Sequence, residues 1–437
     1  MSRVVVVGGG FGGTAAAARL AKQGHEVTLV ERRDRLGGAL GFVERDGYRW
    51  DAGPASTALP AVLRDLFRKS GRPLERELEL VAVQPMREHR FPDGTVLALP
   101  SGSRSAQREA VEAACGRGLG EQWVSYVHGF ADTWDTLRRS VLERPWSPEH
   151  VDGATRSLVR TRTSLHRVAT RALRDPRLRE VALLQSRLEG HDPRQVPSWM
   201  GMWSYVEQRF GVWTVPGGLG VLAERMTRRL GERRVRVLLG TTASDLRLTG
   251  DRVVGVHTDH GPLDAEVVVC AVDPRTLPTL APHIGRARPA PPPTVCHLGL
   301  RDLPDALLGL PHEVVLHGDP TLVLHPNGTA EGGGAAWTVL VRGGRRHVDV
   351  IEELDGRGID VRRHVEVRVD RSPGDQTAGL AGSPYGVQWR GRATTDRKLA
   401  TPPVAGVHLA GVHAAAGAEL PLVGLTAAVV AERIGPA

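Results

Sequence analysis

The sequence of 437 residues is poor in cysteine, lysine and aromatic residues, and it contains no long apolar run. Its three cysteines, Cys115, Cys270 and Cys296, lie far apart without a CxxC pair, which argues against a disulfide framework and a metal site. No stretch reaches the roughly 18 apolar residues of a transmembrane helix. The four valines after Arg3 are too few for a signal peptide, so we expect a cytoplasmic protein.

The net charge of +8 comes almost entirely from arginine, since only three of the 57 basic residues are lysine. Charge is concentrated between Arg138 and Arg187, where twelve arginines accompany five acidic residues and leucine and valine recur at helical spacing. One interpretation is a helical face in water; the other is a basic amphipathic surface that contacts a membrane peripherally. Aromatic residues are sparse there, so no nucleic-acid partner is expected.

The N-terminal residues follow the order strand, glycine turn, helix, strand, acid. Val4–Val7 and Glu26–Val30 are runs typical of buried parallel strands. The turn between them supplies the candidate nucleotide-binding residues Gly8, Gly10, Phe11, Gly12 and Gly13. The first glycine of such a turn bends the chain, the second admits a pyrophosphate, and the third lets helix and strand pack closely. Phosphates then bind at the helix start and Glu31 bonds the ribose hydroxyls, which predicts a dinucleotide site.

A glycine pair follows in Arg35-Leu36-Gly37-Gly38, and Asp51-Ala52-Gly53-Pro54 comes soon after it. This succession resembles the RxGG-containing flavoproteins, which include amine oxidases, protoporphyrinogen oxidase and phytoene desaturases. The resemblance implies FAD as the cofactor. The residues that it places along FAD are Arg32, Arg35, Gly37, Gly38 and Gly53.

Much of the remaining chain resembles bacterial phytoene desaturases. A proline-led helix from Leu59 is followed by an Asp-Gly hairpin at Arg90–Thr95, and a final helix opens at Leu420. In such flavoproteins the start of this last helix stabilises negative charge on the flavin ring. The further cofactor contacts that the resemblance implies are Ala243, Gly411, Leu422 and Val423.

These motifs predict an α/β fold with a Rossmann-like FAD-binding domain of the glutathione-reductase type, assembled from discontinuous segments, and an α+β substrate domain. Residues 1–75, 205–285 and 395–437 are assigned to the FAD-binding domain, and 76–204 and 286–394 to the substrate domain. We expect helices in 76–204 and a largely antiparallel sheet in 286–394, because valine-rich alternating runs occur at Glu313–Leu316 and Trp337–Val341.

No catalytic triad or metal cluster is recognisable, as expected where a flavin carries out the chemistry. Glu419 precedes the last helix, where it can bind a substrate cation, act as a base, or simply interact with the helix dipole. His413 either faces the same cavity or has a structural role. Trp199, Trp203 and Trp213 either line an apolar pocket or pack in the core, and Tyr385 is a further candidate for shaping the pocket.

The resemblance implies an FAD-dependent desaturase or dehydrogenase that moves a hydride from a substrate C–H to flavin N5, on an isoprenoid or other apolar biosynthetic intermediate. Residues 300–390 form a shorter stretch than in carotenoid desaturases, which favours an alternative: a soluble flavin oxidase or desaturase that tailors a small polar or amine metabolite. A second alternative is a non-catalytic FAD-binding partner protein. The electron acceptor stays open among oxygen, a quinone and a carrier, and a redox-neutral isomerisation through transient reduction of the flavin is open as well.

Overall fold

The computed structural model of the chain describes residues 1–144, 149, 151–284, 287–344, 348–392, 394–395 and 404–437. Within these ranges the strands are β1 (Arg3–Val7), β2 (Glu26–Val30), β3 (Phe42–Arg45), β4 (Tyr48–Asp51), β5 (Val81–Ala82), β6 (Arg87–Arg90), β7 (Val96–Leu99), β8 (Trp213–Thr214), β9 (Arg236–Leu238), β10 (Ala243–Thr249), β11 (Arg252–Thr258), β12 (Gly261–Asp264), β13 (Val267–Cys270), β14 (Thr294–Leu300), β15 (Val314–Leu316), β16 (Thr321–Ala330), β17 (Ala335–Arg342), β18 (Val365–Arg371) and β19 (Val407–Leu409).

The helices are α1 (Phe11–Lys22), α2 (Pro60–Ser70), α3 (Arg104–Cys115), α4 (Leu119–His128), α5 (Ala131–Leu137), α6 (Gly153–Val159), α7 (Leu165–Ala172), α8 (Pro176–Leu188), α9 (Met202–Phe210), α10 (Gly220–Glu232), α11 (Ala281–Ile284), α12 (Asp305–Leu308), α13 (Val350–Asp355), α14 (Pro373–Leu380) and α15 (Leu420–Ile434). Short turns of 3-10 helix lie at Leu74–Arg76, Ser198–Gly201, Pro274–Thr276 and Arg362–His364, and a π-helical turn lies at Arg138–Leu142.

A parallel sheet, called the nucleotide sheet below, has the strand order β19–β13–β1–β2–β9. β1 lies in its centre, with Val4 opposite Val267 of β13 and Val27 of β2. Both faces of β1 are covered, so Val4–Val7 are almost excluded from solvent, which accounts for a continuous apolar run. The carboxyl ends of all these strands lie at one edge, the usual ligand-binding edge of an open α/β sheet.

Helix α1 packs on the nucleotide sheet and is surrounded by α2, α10 and α15. Ala15–Ala18 are fully buried, and their small side chains let the neighbouring helices approach closely. α2 begins at Pro60, as the proline-led pattern predicts, and its inner face buries Leu63, Leu66 and Phe67. These contacts fix the start of α1 beside the carboxyl edge of β1.

The second large sheet, called the mixed sheet below, has the order β18–β14–β17–β16–β15–β6–β7. The hairpin β3–β4 joins it through β4 and β16. Neighbouring strands are antiparallel except for β15 and β6. One of its cores holds Leu298, Trp337 and Leu354, where α13 covers the sheet. A smaller antiparallel sheet contains β10, β11 and β12.

The stretch 104–210 is mainly helical, from α3 to α9. Within it, Val159, Leu165 and Leu178 are buried in the main core, so the apolar side of the basic helices faces the protein interior. The arginines exposed on the opposite side, called the arginine face below, are Arg139, Arg144, Arg156, Arg160, Arg162, Arg167, Arg171 and Arg174. Residues 145–148 and 150 of this region lie outside the described residues. Among the helices that the structure describes, none is both long and apolar enough to cross a bilayer.

The predicted α/β fold is confirmed: a parallel sheet is assembled from separated segments, and the second sheet is largely antiparallel. The domain boundaries stay a prediction. Strands of the nucleotide sheet fall in 1–75, 205–285 and 395–437, but β3 and β4 from the first of these segments belong to the mixed sheet, because β4 pairs with β16. The predicted boundary at 285–286 and residues 396–403 lie outside the described residues.

Candidate functional site

A cavity of about 1690 Å³ is lined by the carboxyl edge of the nucleotide sheet and by the mixed sheet. Helices α8, α9, α10 and α15 complete its wall. The volume exceeds the roughly 300–1,000 Å³ of a usual small-molecule pocket. The cavity therefore has room for a dinucleotide and a second molecule.

The turn after β1 is held by backbone contacts. Gly8 has φ +104° and its N–H donates to the Val30 carbonyl at 2.8 Å. A Cβ on Gly13 would stand 1.9 Å from the Gly8 carbonyl oxygen, so only glycine lets α1 pack this closely on the turn. The third glycine therefore acts in packing, as the motif predicts.

Gly10 and Gly12 line the cavity in different ways. A Cβ on Gly10 would meet no atom within 4 Å, so the backbone at the start of α1 opens directly onto free space. A Cβ on Gly12 would stand 2.6 Å from the Gly411 Cα, so α1 begins against the end of β19. This is the geometry that a phosphate needs at the positive end of a helix.

Glu31 ties the end of β2 to the glycine turn. Its carboxylate accepts the Gly9 N–H at 2.7 Å and the Arg33 N–H at 2.8 Å, and only 8% of the residue is exposed. A carboxylate offers about four acceptor positions. Glu31 also lines the cavity, so it has capacity left for the ribose hydroxyls that the sequence analysis assigns to it.

The glycine pair lies against the first glycine turn. The Gly37 N–H donates to the Gly9 carbonyl at 2.8 Å, and Gly37 and Gly38 have φ of +110° and +60°. A Cβ on Gly38 would stand 2.9 Å from the Gly10 Cα. The two glycine motifs therefore form one backbone-lined cradle, with Arg35 in its wall.

Arg32 lies at the exposed rim of the cavity. Its guanidinium donates to the Ala378 and Gly379 carbonyls, each at 2.6 Å, and so connects the cradle to the end of α14. Ala243, the first residue of β10, is also in the wall. Contacts of these residues with a cofactor stay predictions.

Asp51 connects β4 to the start of α10. Its carboxylate accepts the Leu219 N–H at 3.1 Å and the Gly220 N–H at 2.8 Å. Burial raises the pKa of Asp51 to about 6, although these two hydrogen bonds lower it. Two residues further on, Gly53 packs so tightly that a Cβ would stand 2.3 Å from the Ala39 carbonyl oxygen.

The start of α15 forms the opposite rim of the cradle. Gly411 has φ +86° and its N–H donates to the Thr426 hydroxyl at 2.9 Å. Gly411, Glu419 and Val423 line the cavity, whereas Leu422 is buried in the hydrophobic core and is not part of the wall. The Glu419 carboxylate folds back onto Gly417, where a Cβ would stand 2.3 Å from it.

His413 lies in the cavity wall near a second acid. Its Nδ1 is 3.9 Å from the Asp273 carboxylate. Although burial raises the pKa of Asp273, hydrogen bonds from Arg275 outweigh that effect and hold the pKa below its ordinary value. The structure thus brings Glu419 and His413 to the same cavity, and their catalytic roles stay predictions.

The sequence-predicted residues that line the cavity are Gly8, Gly10, Phe11, Gly12, Glu31, Arg32, Arg35, Gly37, Gly38, Gly53, Ala243, Tyr385, Gly411, His413, Glu419 and Val423. Gly13 lies one layer behind the wall, as Leu422 does. Trp203 lines the cavity, whereas Trp199 stacks edge to face on Trp389, with ring centroids 5.5 Å apart.

Sequence reasoning missed four polar residues of the cavity wall, called the charged row below: Glu207, Arg87, Glu313 and His325. The Arg87 guanidinium donates to both carboxylates, with a separation of 3.3 Å to Glu207 and a closer contact to Glu313. The His325 Nε2 is 3.2 Å from the other Glu313 oxygen. No local pattern marks these residues, because each comes from a different element.

Burial and pairing act on the charged row in opposite directions. Burial raises the pKa of Glu207 above its ordinary value. Burial would also raise the pKa of Glu313, but the charge of Arg87 and the hydrogen bond to His325 outweigh it and hold that pKa well below its ordinary value. Glu313 is therefore the firmly ionised carboxylate, and Glu207 is the one whose charge depends on its surroundings.

Comparison with known proteins gives a family match. Residues 11–331 match the family model described as flavin containing amine oxidoreductase. The chain is 28% identical over 272 residues to 4,4'-diapolycopene oxygenase of Methylomonas sp., covering 61% of this chain and 55% of that protein. It is 28% identical to hydroxyneurosporene desaturase of Cereibacter sphaeroides over an alignment of 485 residues including gaps. This alignment covers 99% of this chain and 97% of that protein. For several other curated relatives the chain spans about half of their length.

Solved structures agree on the fold. Putrescine oxidase bound to putrescine has a TM-score of 0.72 at 15% identity, with 99% of this chain and 98% of that chain covered. Cyclohexylamine oxidase from Brevibacterium oxydans has a TM-score of 0.69 at 18% identity, with 99% of each chain covered. At these identities the similarity establishes the architecture.

Proposed function

Because the chain belongs to the family of flavin-containing amine oxidoreductases, we propose that it is an FAD-dependent desaturase or dehydrogenase acting on an isoprenoid or other largely apolar biosynthetic intermediate. The observation that carries this proposal is the cavity of about 1690 Å³, in which a backbone-lined cradle and apolar side chains such as Trp203, Val323 and Leu340 line the same space. The similarity to a hydroxyneurosporene desaturase over nearly the full length of both chains supports the substrate class.

FAD is the cofactor, and the residues present fit it. The start of α1 opens onto free space at Gly10, two glycine motifs expose their backbone there, and Glu31 stands at the end of β2. When bound, FAD supplies a two-electron acceptor for a hydride. Gly10, Gly12 and Gly38 would hold its phosphates and ribityl chain through backbone N–H groups, whereas the Gly37 N–H already donates to the Gly9 carbonyl and fixes the cradle.

The remaining residues of the wall position a substrate and handle a proton. The start of α15 places the positive end of a helix dipole at the cavity, which favours negative charge developing there. Removal of a hydride from one carbon leaves a proton to be lost from its neighbour when a C=C bond forms. We assign Glu419 the role of accepting that proton. We assign His413 a positioning role, in which its contact with Asp273 keeps the neighbouring part of the cavity wall in place.

Anaerobic titration of the purified FAD-loaded protein tests the proposal through loss of the oxidised flavin absorbance band. We expect an isoprenoid polyene precursor in liposomes to bleach the flavin, and small amines, amino acids and hydroxy acids to leave it oxidised. Bleaching by a small polar compound alone would contradict the substrate class. A protein that binds FAD and is bleached by nothing in the panel would instead indicate a non-catalytic binding partner.

A flavin oxidase that tailors a small polar or amine metabolite is the second candidate function. The observation that favours it is the charged row, since two carboxylates and a guanidinium stand in the wall where an all-apolar substrate needs none. The same titration separates the two candidates, because only one class of compound reduces the flavin in each case.

We further propose that the arginine face contacts anionic lipid headgroups. Leu165 and Ala169 of α7 are buried, whereas Arg167 and Arg171 on its other side are exposed. The apolar residues are thus used in the core, and a membrane contact through this face is electrostatic and weakened by salt. This supports peripheral contact without insertion.

Vesicle sedimentation tests the lipid contact. Exchange of Arg167 and Arg171 for serine should reduce binding to vesicles that contain phosphatidylserine, and it should leave the weak binding to phosphatidylcholine vesicles unchanged. Exchange of Arg362 and Arg363 for serine is the matched control, because these exposed arginines lie outside the arginine face. Equal loss in both double variants would contradict a specific contact.

A further inference from the structure

The charged row is assembled from four separate elements around one part of the cavity. Arg87 comes from β6, Glu207 from α9 and His325 from β16, while Glu313 directly precedes β15. Only 9–11% of each side chain is exposed. The Glu88 N–H donates to the Glu313 carbonyl at 2.9 Å, which fixes the backbone of the row at the pairing of β6 with β15.

Apolar side chains share the cavity with the row. Trp203, Val212, Val323 and Leu340 line the same cavity. A buried ion cluster is a poor source of stability, since well-packed hydrophobic residues of similar size often serve equally well or better. Titratable groups with perturbed pKa values in a cavity wall are instead typical of sites that meet a ligand. The row therefore has a more direct explanation in recognition than in folding.

The charge of the row determines which chemical group it recognises. Two carboxylates accompany one guanidinium, and that guanidinium is already shared between them. Carboxylate oxygens accept hydrogen bonds, so the row favours a hydrogen-bond donor and disfavours an anion. A hydroxyl group and a protonated amine share the required chemistry.

We propose that the charged row binds a hydrogen-bond-donating polar terminus on an otherwise apolar substrate, with Glu207 as the principal acceptor. This inference rests on the proposed function for the identity of the cavity, and it refines the substrate class from an apolar molecule to an amphipathic one. Glu207 then determines specificity by holding one end of the substrate, while Trp203 and the valines contact its body.

A matched series of eight-carbon probes tests the inference on the FAD-loaded, oxidised protein by isothermal titration calorimetry. We expect octanol and octylamine to bind at least about tenfold more tightly than octene and octanoate, because a probe without a donor removes water from the carboxylates without offering them a new hydrogen bond. Equal affinity for octene would overturn the inference, as would tightest binding of octanoate. The unaltered protein is used, so this result does not depend on the folding of any variant.

The variant Glu207→Gln assigns the effect to one residue. We expect it to weaken octylamine binding by about tenfold and to leave octene binding unchanged, with an unaltered FAD content. Glu109→Gln, which changes an exposed carboxylate on α3, is the matched control. Octylamine affinity that is the same in both variants would overturn the role of Glu207.

Failure of this inference is distinguishable from failure of the proposed function, because the calorimetry measures binding and the anaerobic titration measures reduction. Tight octanol binding by a protein whose flavin no compound reduces would contradict the proposed function and support the inference. Flavin reduction by a polyene hydrocarbon, with equal affinity for octanol and octene, would support the proposed function and overturn the inference.

Discussion

The cradle and the charged row occupy one cavity but are built by opposite means. The cradle presents backbone groups, and glycine is required at Gly13 because a single added carbon would collide with the main chain. The row presents ionisable side chains, and its members are held by each other. Adding atoms therefore damages the cradle, whereas removing charge damages the charged row.

The largest expected effect is at Gly13. Gly13→Ala places a Cβ 1.9 Å from the Gly8 carbonyl oxygen, which forces β1 and α1 apart. We expect the variant to purify without yellow colour or to be recovered unfolded, as judged by flavin absorbance and circular dichroism.

Gly10→Ala is the matched substitution three residues earlier. Its Cβ would enter free space, so the protein should keep its melting temperature without FAD while its affinity for FAD falls. A Gly10→Ala protein with normal FAD affinity would show that nothing approaches the backbone at this point.

A smaller but still large effect is expected at Arg87. Arg87→Met leaves Glu207 and Glu313 without their shared cation, and loss of one partner of a buried pair costs about 3–5 kcal/mol of unfolding free energy. Arg108→Met, which removes an exposed pair with Glu109, should cost less than about 1 kcal/mol. Urea unfolding of both variants measures the difference. Similar losses of unfolding free energy would show that the row behaves like an exposed ion pair.

Asp51 lines the same cavity as the two regions and should make the stability of the protein depend on pH. Its pKa of about 6 in the folded protein lies above the ordinary value of 3.8, so the folded protein retains a proton that the unfolded chain releases. The unfolding free energy contributed by Asp51 therefore decreases as the pH rises from about 4 to about 6, by up to about 3 kcal/mol.

The variant Asp51→Asn removes that titration. The unfolding free energy of the variant minus that of the unaltered protein should be larger near pH 7.5 than near pH 4.5. Urea unfolding of both proteins at both pH values measures this difference. A stability difference that is the same at the two pH values would contradict the raised pKa. Buried groups that do not interact with Asp51 titrate equally in both proteins, so they cancel in the difference.

The smallest expected effect concerns Glu419. Removing a carboxylate beside a flavin makes reduction easier, so Glu419→Gln should raise the reduction potential of bound FAD by some tens of millivolts. Glu432→Gln changes an exposed acid near the other end of α15 and should leave the potential unchanged. An equal potential in both variants would favour the purely structural interpretation of Glu419.

The two regions also differ in how much of them could be predicted from the sequence. The cradle was predictable because strand, turn and helix are adjacent in the chain, and each glycine has a local conformational reason. The charged row was not, because the Arg87–Glu313 contact spans 226 positions and the Arg87–Glu207 contact spans 120. Only the pairing of β6 with β15 and the position of α9 bring them together.

The arginine-rich helices illustrate a further limit of sequence patterns. Their periodicity indicates an apolar side and a charged side, but it does not say what the apolar side covers. In the structure Val159, Leu165 and Leu178 belong to the protein core, and arginines are exposed on the other side of the helices. The same limit applies to β3 and β4, whose alternation fits either sheet until β4 pairs with β16.

The contact between Gly12 and Gly411 has a consequence for cofactor binding during synthesis of the chain. The start of the first helix and the end of the last strand touch, although they come from opposite ends of the sequence. A chain of which only the N-terminal part has left the ribosome therefore has the two glycine motifs but lacks the opposite rim of the cradle. Tight binding of the cofactor therefore requires α15 to have emerged from the ribosome, because the start of α15 forms one rim of the cradle.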